Sequence, residues 1–342
     1  MSSHVYLSLI IPAFNEYGTL RTTLQSADRY LTCQDYLSEI IVIDDGSRVS
    51  LVGEIVASHT PIRFIRYERN QGKGYAVRRG VDSARGRYSC YMDADHSIAI
   101  THLPAFLEQL DNGYDLVIGS RFLPNSLIVN KRPLIRRCSS RVFRVLIHML
   151  VIARLIDSQC GFKCFRSEIG KRLFDAQHTR RYGFDVEILA RAQEQGLRIL
   201  ELPVIWNNNE RASKVQIVPD SICTAIEVFL IVLHMAFRRL LRLPRLVQDG
   251  RQHMARSDEH RELDGFALCR RGTHGQRCGN GCNSGRGLPA LRLVALELGK
   301  LAVVLLFAVW LGIALSSMND TNRREHVSYP ESVYLTPLSR SE

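Results

Sequence analysis

The sequence predicts an α/β fold with a mostly parallel sheet and flanking helices, followed by segments that associate with a membrane. Short apolar runs alternate with helical runs up to Gly119, and this order implies right-handed crossovers between parallel strands. Polar residues stand where these runs end, and ligands of such sheets bind outside the carboxyl ends of the strands. A long uncharged run near the C-terminus has the length of a membrane helix.

Five runs are predicted to be strands because they are short, apolar and bounded by turn residues. They cover residues 5–12, 39–44, 62–67, 87–93 and 114–119, and helical runs are predicted at about 18–31, 70–80 and 101–110. Four polar residues near the ends of these strands are expected at one edge of the sheet: Glu16, Asp45, Lys73 and Asp95.

The fourth predicted strand runs into Asp93-Ala94-Asp95. Residues i and i+2 of an extended chain project to the same side, so the two carboxylates can converge on one small target. A divalent cation that bridges two phosphates is such a target, because Mg²⁺ or Mn²⁺ takes oxygen ligands. The triplet alone is more typical of a solvated turn, and its neighbours decide in favour of a site.

Composition limits the classes of partner. The chain has 342 residues and a formal charge of +11, which favours an acidic partner such as a phosphate-bearing substrate or an anionic membrane. No zinc-finger spacing, recognition helix or ribonucleoprotein motif supports a nucleic acid. Nine scattered cysteines indicate reduced thiols and a cytosolic domain, and the early first strand leaves no room for a cleavable signal peptide.

The phosphate-binding glycine patterns of other α/β proteins are absent. There is no Gly-x-Gly-x-x-Gly after the first predicted strand and no Gly-x-x-x-x-Gly-Lys-Ser/Thr. We therefore expect phosphate charge to be met by a metal and by basic side chains rather than by a glycine-rich loop.

Three later segments bear on membrane association. Residues 141–154 form a basic amphipathic helix that fits a core helix or a membrane-interface helix about equally well. Residues 222–237 contain Glu227 and His234, which favours an interfacial helix over a span. Residues 298–318 favour a transmembrane helix, and the arginines before it place the main domain in the cytosol by the positive-inside rule.

These features divide the chain into five predicted regions. They are a catalytic domain at 1–218, a juxtamembrane amphipathic helix at 219–243, a disordered linker at 244–289, a transmembrane helix at 290–318 and a tail at 319–342. A zinc site at Cys269, His274, Cys278 and Cys282 in the linker is disfavoured because the paired short spacings of such sites are missing.

Seven motifs up to about Ile217 resemble those of the inverting GT-A glycosyltransferases of family 2, and of their polyprenol-phosphate members. They begin at Ile11-Pro-Ala-Phe-Asn-Glu, Val42-Ile-Asp-Asp-Gly-Ser, Asn70-Gln-Gly-Lys-Gly, Asp93-Ala-Asp, Gly119-Ser-Arg, Asp157-Ser-Gln-Cys-Gly-Phe-Lys and Gly183-Phe-Asp-Val-Glu. The last two look more like dolichyl-phosphate β-glucosyltransferases than dolichyl-phosphate mannose synthases.

The resemblance implies roles for individual residues. A nucleotide-sugar donor would be bound by Pro12, Phe14, Glu16, Asp44, Asp45, Lys73, Asp93, Ala94 and Lys214. Asp95 would hold the divalent cation, Mg²⁺ or Mn²⁺, on the diphosphate. Arg121 would face the donor sugar or the phosphate of a polyprenyl phosphate acceptor, and Arg136 with Arg137 would offset the acceptor's charge.

The implied reaction is an inverting transfer of a hexose, with glucose from UDP-glucose favoured. Lipid phosphate is already ionised near neutral pH, so a strong general base is not required, and Asp157 and Asp185 are the candidates if one exists. Departures from the mannose-synthase pattern at Ser97 and at residues 207–211 weaken the alternative donor, GDP-mannose.

Two further alternatives are a processive polysaccharide synthase and a non-catalytic membrane scaffold with the same fold. Gln177-His-Thr-Arg-Arg-Tyr182 has the wrong spacing for the Gln-x-x-Arg-Trp motif of the synthases. Retention of both Asp93 and Asp95 argues against a scaffold.

Overall fold

The structure is a computed structural model of the chain. It describes residues 4–55, 57–129, 144, 147, 155–207, 223, 224, 226–235, 237, 238, 299 and 302. Within these residues the chain forms a layered α/β domain whose core lies on both faces of one large sheet.

The described elements alternate as the sequence predicts. The strands are β1 (Leu7–Ala13), β2 (Ser38–Asp44), β3 (Ile62–Arg66), β4 (Tyr88–Met92), β5 (Leu116–Ser120), β6 (Leu127–Val129), β7 (Phe162–Arg166), β8 (Ile199–Pro203) and β9 (Ile205–Asn207). The α-helices are α1 (Thr19–Thr32), α2 (Lys73–Ser83), α3 (Leu103–Asp111), α4 (Ser167–Asp175) and α5 (Phe184–Glu194). Short 3₁₀ helices span Leu51–Glu54 and Ile100–His102.

The large sheet has the order β3-β2-β1-β4-β7-β5-β8. β1 is parallel to β2 and β4, β2 is parallel to β3, and β5 is parallel to β8. The seventh strand, β7, is antiparallel to both of its neighbours, β4 and β5. The prediction of a mostly parallel α/β sheet with flanking helices is confirmed, and the antiparallel insertion is a feature that the sequence analysis did not predict.

The strand sequences explain why the sheet has two cores. β1 is buried at all seven positions, and successive side chains project to opposite faces. Leu9 and Ile11 pack on the side of α1 and α3, whereas Ile10 packs on the side of α2. Gly80 of α2 lies directly over Ile10, where a Cβ atom would overlap the isoleucine side chain. A glycine at this position therefore lets α2 lie close to the sheet.

A second, smaller sheet has two strands. β6 and β9 pair in parallel, with Ile128 opposite Trp206. Trp206 also forms an isolated antiparallel bridge with Ile98, and the Asn207 N–H donates to the Ser97 carbonyl at 2.8 Å. The small sheet is therefore attached to the segment that follows Asp95.

The described residues of 223–238 form a helical segment that packs on the domain with one face. Val228, Ile231, Val232 and Met235 are buried in the core cluster. The opposite face exposes Ile226, Leu230, Leu233 and Phe237. Glu227 Oε2 accepts the Gly183 N–H at 2.7 Å, at the start of α5, and this fixes the segment against the domain.

In the described part of the chain, no helix has the length and hydropathy that crossing a bilayer requires. Most of the predicted amphipathic helix at 141–154 and most of the predicted span at 298–318 lie outside the described residues. The same holds for the predicted linker at 244–289, the tail at 319–342, and the predicted site residues Arg136, Arg137 and Lys214.

Candidate active site

The loops after β1 and β2 are fastened to each other. The Asn15 N–H donates to Ser47 Oγ at 2.8 Å, and Asn15 Oδ1 accepts the Arg48 N–H at 3.0 Å. Asn15 has a φ of 55°, in the left-handed region that asparagine tolerates better than most residues. Phe14 and Glu16, which the sequence assigns to the donor, are half-buried on either side of it, and Pro12 is buried in β1.

The two adjacent aspartates after β2 have different surroundings. The Asp44 side chain is completely buried and accepts the Ser47 N–H, the Leu51 N–H and an Arg66 Nη1–H. Although burial alone raises its pKa, these donors lower it below the usual value. Asp44 therefore stabilises the turn after β2 and offers no exposed surface to a donor.

Asp45 organises the loop that leads into α2. Its carboxylate accepts the Gln71 N–H at 2.8 Å, the Gly72 N–H at 3.0 Å and an Asn70 Nδ2–H at 3.0 Å. Gly72 has a φ of 101°, and a Cβ there would lie 2.5 Å from the Arg180 carbonyl oxygen. The loop consequently needs glycine at this position. It brings Lys73, the first residue of α2, to the charged cluster of Asp93, Asp95, Arg121 and Asp185, which we call the cleft.

Lys73 and Asp93 form an ion pair in the cleft. Lys73 Nζ lies 2.5 Å from Asp93 Oδ1, and the two side chains keep 23% and 28% of their surface exposed. Burial lowers the pKa of Lys73, but the charges of Asp93 and Asp185 outweigh burial and raise it above its usual value. Lys73 is therefore a fixed positive charge at neutral pH.

Gly161, in the turn before β7, packs directly against Asp93. The Asp93 N–H donates to the Gly161 carbonyl at 3.2 Å. A Cβ atom on Gly161 would overlap the Asp93 carboxylate. The side chain of Asp93 thus rests against bare backbone, and a larger residue at 161 would displace it.

Asp95 is half-buried beside Asp93, and its Oδ1 accepts the Ser97 N–H at 2.9 Å. Burial and the neighbouring charge of Asp93 raise its pKa. His96 has a φ of 56°, so the chain bends sharply after the pair. Ala94 is buried, and its carbonyl accepts the Thr23 hydroxyl at 2.9 Å.

This carboxylate pair fits a hard divalent cation that is shared with a ligand. Carboxylate oxygen is the donor type that Mg²⁺ and Mn²⁺ prefer, and Mg²⁺ is usually bound by one or two carboxylates together with substrate phosphates. Within the residues that the structure describes, no three His, Cys, Asp or Glu side chains come together to hold a metal. A cation at Asp95 would complete its coordination with phosphate oxygens of a bound ligand.

Arg121 and Asp157 form a second, more deeply buried ion pair. Arg121 Nε and Nη2 donate to the two carboxylate oxygens of Asp157 at 2.7 and 2.9 Å, and the Arg121 N–H adds a bond of 3.0 Å. Only 2% of the Asp157 side chain is exposed. Burial raises the pKa of Asp157, but Arg121 outweighs it and holds the pKa below the usual range. Asp157 is therefore the buried counter-ion of Arg121, and its Oδ1 also accepts the Gln159 N–H at 3.2 Å.

Asp185 also forms a buried ion pair, with Lys163. It lies in the first turn of α5 and is 2.5 Å from Lys163 Nζ, whose side chain is 3% exposed. The Tyr91 hydroxyl donates to the same carboxylate oxygen, and Lys163 Nζ also donates to the Cys160 carbonyl at 2.6 Å. Burial raises the pKa of the Cys160 thiol to about 12, so this cysteine is not a nucleophile at neutral pH.

The structure thus brings together five of the predicted site residues that it describes. Asp93, Asp95, Lys73, Arg121 and Asp185 interact electrostatically across one cleft. Sequence reasoning gave no individual role to three residues here: Tyr91, Gly161 and Lys163. Gly161 and Lys163 lie in the motif that begins at Asp157, so the motif was recognised before the function of its members.

A profile of the family described as "Glycosyl transferase family 2" matches residues 8–174. That match runs from β1 into α4 and includes the Lys73–Asp93 and Arg121–Asp157 pairs, whereas Asp185, the partner of Lys163, lies beyond it. The chain is a glycosyltransferase with a GT-A fold, and it belongs to glycosyl transferase family 2.

Its relatives in that family include the dolichyl-phosphate beta-glucosyltransferases. The Dictyostelium discoideum protein of that name is 33% identical over 254 residues, covering 70% of this chain and 76% of the relative. The Saccharomyces cerevisiae protein is 31% identical over 255 residues, with coverages of 68% and 75%. The human protein is 30% identical over 225 residues, with coverages of 60% and 68%.

A solved structure shares the fold at low sequence identity. It is glucosyl-3-phosphoglycerate synthase from Mycobacterium tuberculosis in complex with uridine-diphosphate. The identity is 18% and the TM-score is 0.52, over 67% of this chain and 80% of that chain.

Proposed function

We propose that this glycosyltransferase moves glucose from UDP-glucose to a polyprenyl phosphate such as dolichyl phosphate, with inversion and with a divalent cation. The names of the relatives support the sugar and the acceptor. The observation that carries the proposal is that both candidate bases are paired, Asp157 with Arg121 and Asp185 with Lys163. A carboxylate held by a cation is a weak base, so an acceptor that is already ionised suits this site.

The donor side of the proposed mechanism uses Lys73 and the two aspartates of the cleft. The Lys73 ammonium would offset the charge of the donor diphosphate, and Asp93 would keep it in the cleft until the donor arrives. A divalent cation at Asp95, when bound, would neutralise charge on the departing nucleoside diphosphate. Phe14 and Glu16 would line the base and ribose pocket.

The acceptor side uses Arg121. Asp157 holds its guanidinium by two N–H groups, which leaves the rest of the planar fork for a phosphate. The sequence adds Arg136 near the acceptor and Lys214 near the diphosphate, and we retain both as proposals. We reassign Asp157 and Asp185 as groups that position cations rather than as bases.

Membrane attachment would bring the cleft to a lipid acceptor. The exposed apolar residues Ile226, Leu230, Leu233 and Phe237 recur on one side of the helical segment, and Arg238 follows them. We propose that this face lies in the cytosolic membrane interface and that residues 290–318 anchor the chain.

A chain ended after Leu243 should bind anionic vesicles in a salt-dependent way. Leu230→Gln with Phe237→Gln should weaken that binding, and full recovery in the soluble fraction at low salt would contradict the proposal.

The decisive experiment presents a panel of nucleotide sugars to the full chain in detergent with a defined polyprenyl phosphate. We expect transfer from UDP-glucose that requires Mg²⁺ or Mn²⁺ and is lost with a chelator. Asp95→Asn should lower transfer at least 100-fold, about 3 kcal/mol, with an unchanged unfolding midpoint. Transfer from GDP-mannose instead would identify the alternative donor, and the absence of both transfer and donor hydrolysis would favour the scaffold.

A further inference from the structure

Trp206 occupies a position that joins two parts of the site. It is the central residue of β9, and it pairs with Ile128 in the small sheet and with Ile98 through an isolated bridge. Ile98 and its neighbour Ser97 directly follow the segment of Asp95, and Ser97 N–H is the donor to the Asp95 carboxylate. The backbone of Trp206 is therefore fastened to the loop that carries the proposed cation ligand.

The indole ring of Trp206 faces Arg121. The guanidinium carbon of Arg121 lies 5.5 Å from the Trp206 ring centre and 5.5 Å from the Phe122 ring centre. These distances are within the range of cation–π contacts, in which tryptophan is the strongest aromatic partner. Asp157 holds the same guanidinium along its edge. The edge contact and the ring contact together fix both the location and the plane of Arg121.

The plane of the Arg121 guanidinium determines how this group can bind a phosphate. Arginine has five N–H donors in a rigid fork, and Asp157 takes two of them through Nε and Nη2. The direction of the remaining donors depends on the plane of the group, because the fork cannot bend. A phosphate is bound best when two of these donors meet two of its oxygens.

We propose that Trp206 is a positioning residue that orients Arg121 toward the anionic acceptor and ties this orientation to the loop of Asp95. The identity of the acceptor rests on the proposed function, whereas the contact between Trp206 and Arg121 is independent of it. Because one strand carries the indole and is bonded to Ser97, a shift of the Asp95 loop is transmitted to Arg121.

The kinetic test compares Trp206→Phe, Trp206→Ala and Arg121→Lys, with UDP-glucose and a defined polyprenyl phosphate as substrates. Trp206→Ala should lower kcat/KM for the acceptor about tenfold, and Trp206→Phe should retain activity within about threefold, since an aromatic face remains. The donor KM should change less than about threefold. An equal loss for donor and acceptor, or no rescue by phenylalanine, would overturn the proposal.

A double-substitution cycle tests whether Trp206 acts through Arg121. Once Arg121→Lys has removed the planar fork, adding Trp206→Ala should cost less than about twofold more. Independent effects that multiply would overturn the proposal. Thermal unfolding of each variant separates this result from a loss of folding. If the alanine variant does not fold, the same cycle is measured with Trp206→Phe and Arg121→Lys.

A spectroscopic test needs no substrate. The chain has two tryptophans, so a Trp310→Phe background leaves Trp206 as the one emitter. Arg121→Lys should then change the emission maximum or intensity of Trp206. Arg198→Lys is the matched control, since Arg198 lies over a different aromatic ring, Tyr114, at 4.8 Å. Emission unchanged by Arg121→Lys would overturn the proposal, whereas a change that occurs without any transfer to lipid phosphate would refute only the proposed acceptor.

Discussion

Two ion pairs of the site, Lys73–Asp93 and Arg121–Asp157, differ in burial and in geometry. Lys73 and Asp93 meet through one contact of 2.5 Å, and each keeps about a quarter of its side chain exposed, at 23% and 28%. Arg121 and Asp157 meet through three hydrogen bonds, and the Asp157 side chain is 2% exposed. A single exposed contact exchanges with a ligand at little cost, whereas a buried bidentate pair does not.

The difference in burial and in the number of hydrogen bonds indicates that the two pairs have different roles. The Lys73 pair presents a partly exposed positive charge, and in the proposed function a donor diphosphate replaces Asp93 as its partner. The Arg121 pair is part of the framework, because three hydrogen bonds join its two residues and the Asp157 side chain is 2% exposed. Substitutions in the first pair should therefore alter function more than stability, and substitutions in the second should alter both.

The largest expected effect is on stability. Asp157→Asn should lower the free energy of unfolding by about 3–5 kcal/mol, because it leaves the Arg121 charge buried without its counter-ion. Urea denaturation of the variant would measure this loss. Glu54→Gln is the matched control, since Glu54 pairs with Arg21 at the surface, where the Arg21 side chain is 49% exposed, and it should cost less than about 1 kcal/mol. Equal losses in the two variants would remove the distinction between framework and exchangeable pairs.

The next effect is on the donor. Lys73→Met should weaken transfer at limiting donor by about 1.5–3 kcal/mol, the contribution of a hydrogen bond to a charged group, while stability falls by less than about 1 kcal/mol. Initial rates over a range of UDP-glucose concentrations would measure the first quantity and urea denaturation the second. A stability loss as large as that of Asp157→Asn would show that Lys73 belongs to the framework.

A third substitution moves Asp93 without changing its charge. Gly161→Ala places a Cβ where the Asp93 carboxylate lies, and overpacking of this kind costs about 1–3 kcal/mol. We expect lower donor affinity together with this loss, measured by calorimetric titration of UDP and by denaturation. Gly53→Ala is the control, because a Cβ there has no neighbour within 4 Å. A wild-type affinity for UDP in Gly161→Ala would mean that Asp93 tolerates displacement.

The smallest expected effect is a dependence on pH. Arg121 lowers the pKa of Asp157 below its usual 3.8, so the pair stabilises the fold above about pH 4 and this contribution is lost as the pH falls further. The stability gap between wild type and Asp157→Asn should therefore be widest at neutral pH and should narrow by on the order of 1 kcal/mol toward pH 3. Denaturation at stepped pH values checks this. A gap that widens on acidification would have the wrong sign.

Much of the sheet was predictable from local pattern, and its central insertion was not. The five predicted runs correspond to β1–β5. Burial on both faces of the sheet leaves continuous apolar sequence in β1, β2, β4 and β5, whereas β3 lies at the sheet edge and is half-buried. β7 carries Lys163 and Arg166 in five residues, just as the edge strand β3 carries Arg63 and Arg66, so its sequence does not show that it lies in the middle of the sheet. Its place between β4 and β5 is set by pairing with strands far away in the sequence, and no local signal encodes that pairing.

The candidate site shows the same division. The rule that ligands bind at the carboxyl ends of strands brought Asp45, Lys73 and Asp95 to one edge, as the sequence analysis expected. It could not tell that Asp44 is buried within its turn, or that Asp157 and Asp185 are each held by a cation. Those partners come from other elements of the fold, so only the three-dimensional structure shows which carboxylates are already paired with a cation.

The position of β7 also has a consequence for the order in which the chain folds. β5 is bonded in the sheet only to β7 and β8 among the described strands, so it cannot join β4 until residues made later arrive. Contacts that are distant in sequence form slowly, and an unpaired strand edge at β4 is exposed meanwhile. The turn before β7 and the strand itself bring Gly161 to Asp93 and Lys163 to Asp185. A nascent chain therefore completes its large sheet and gains these two contacts in the same step, and a chain stalled before residue 161 lacks both of them.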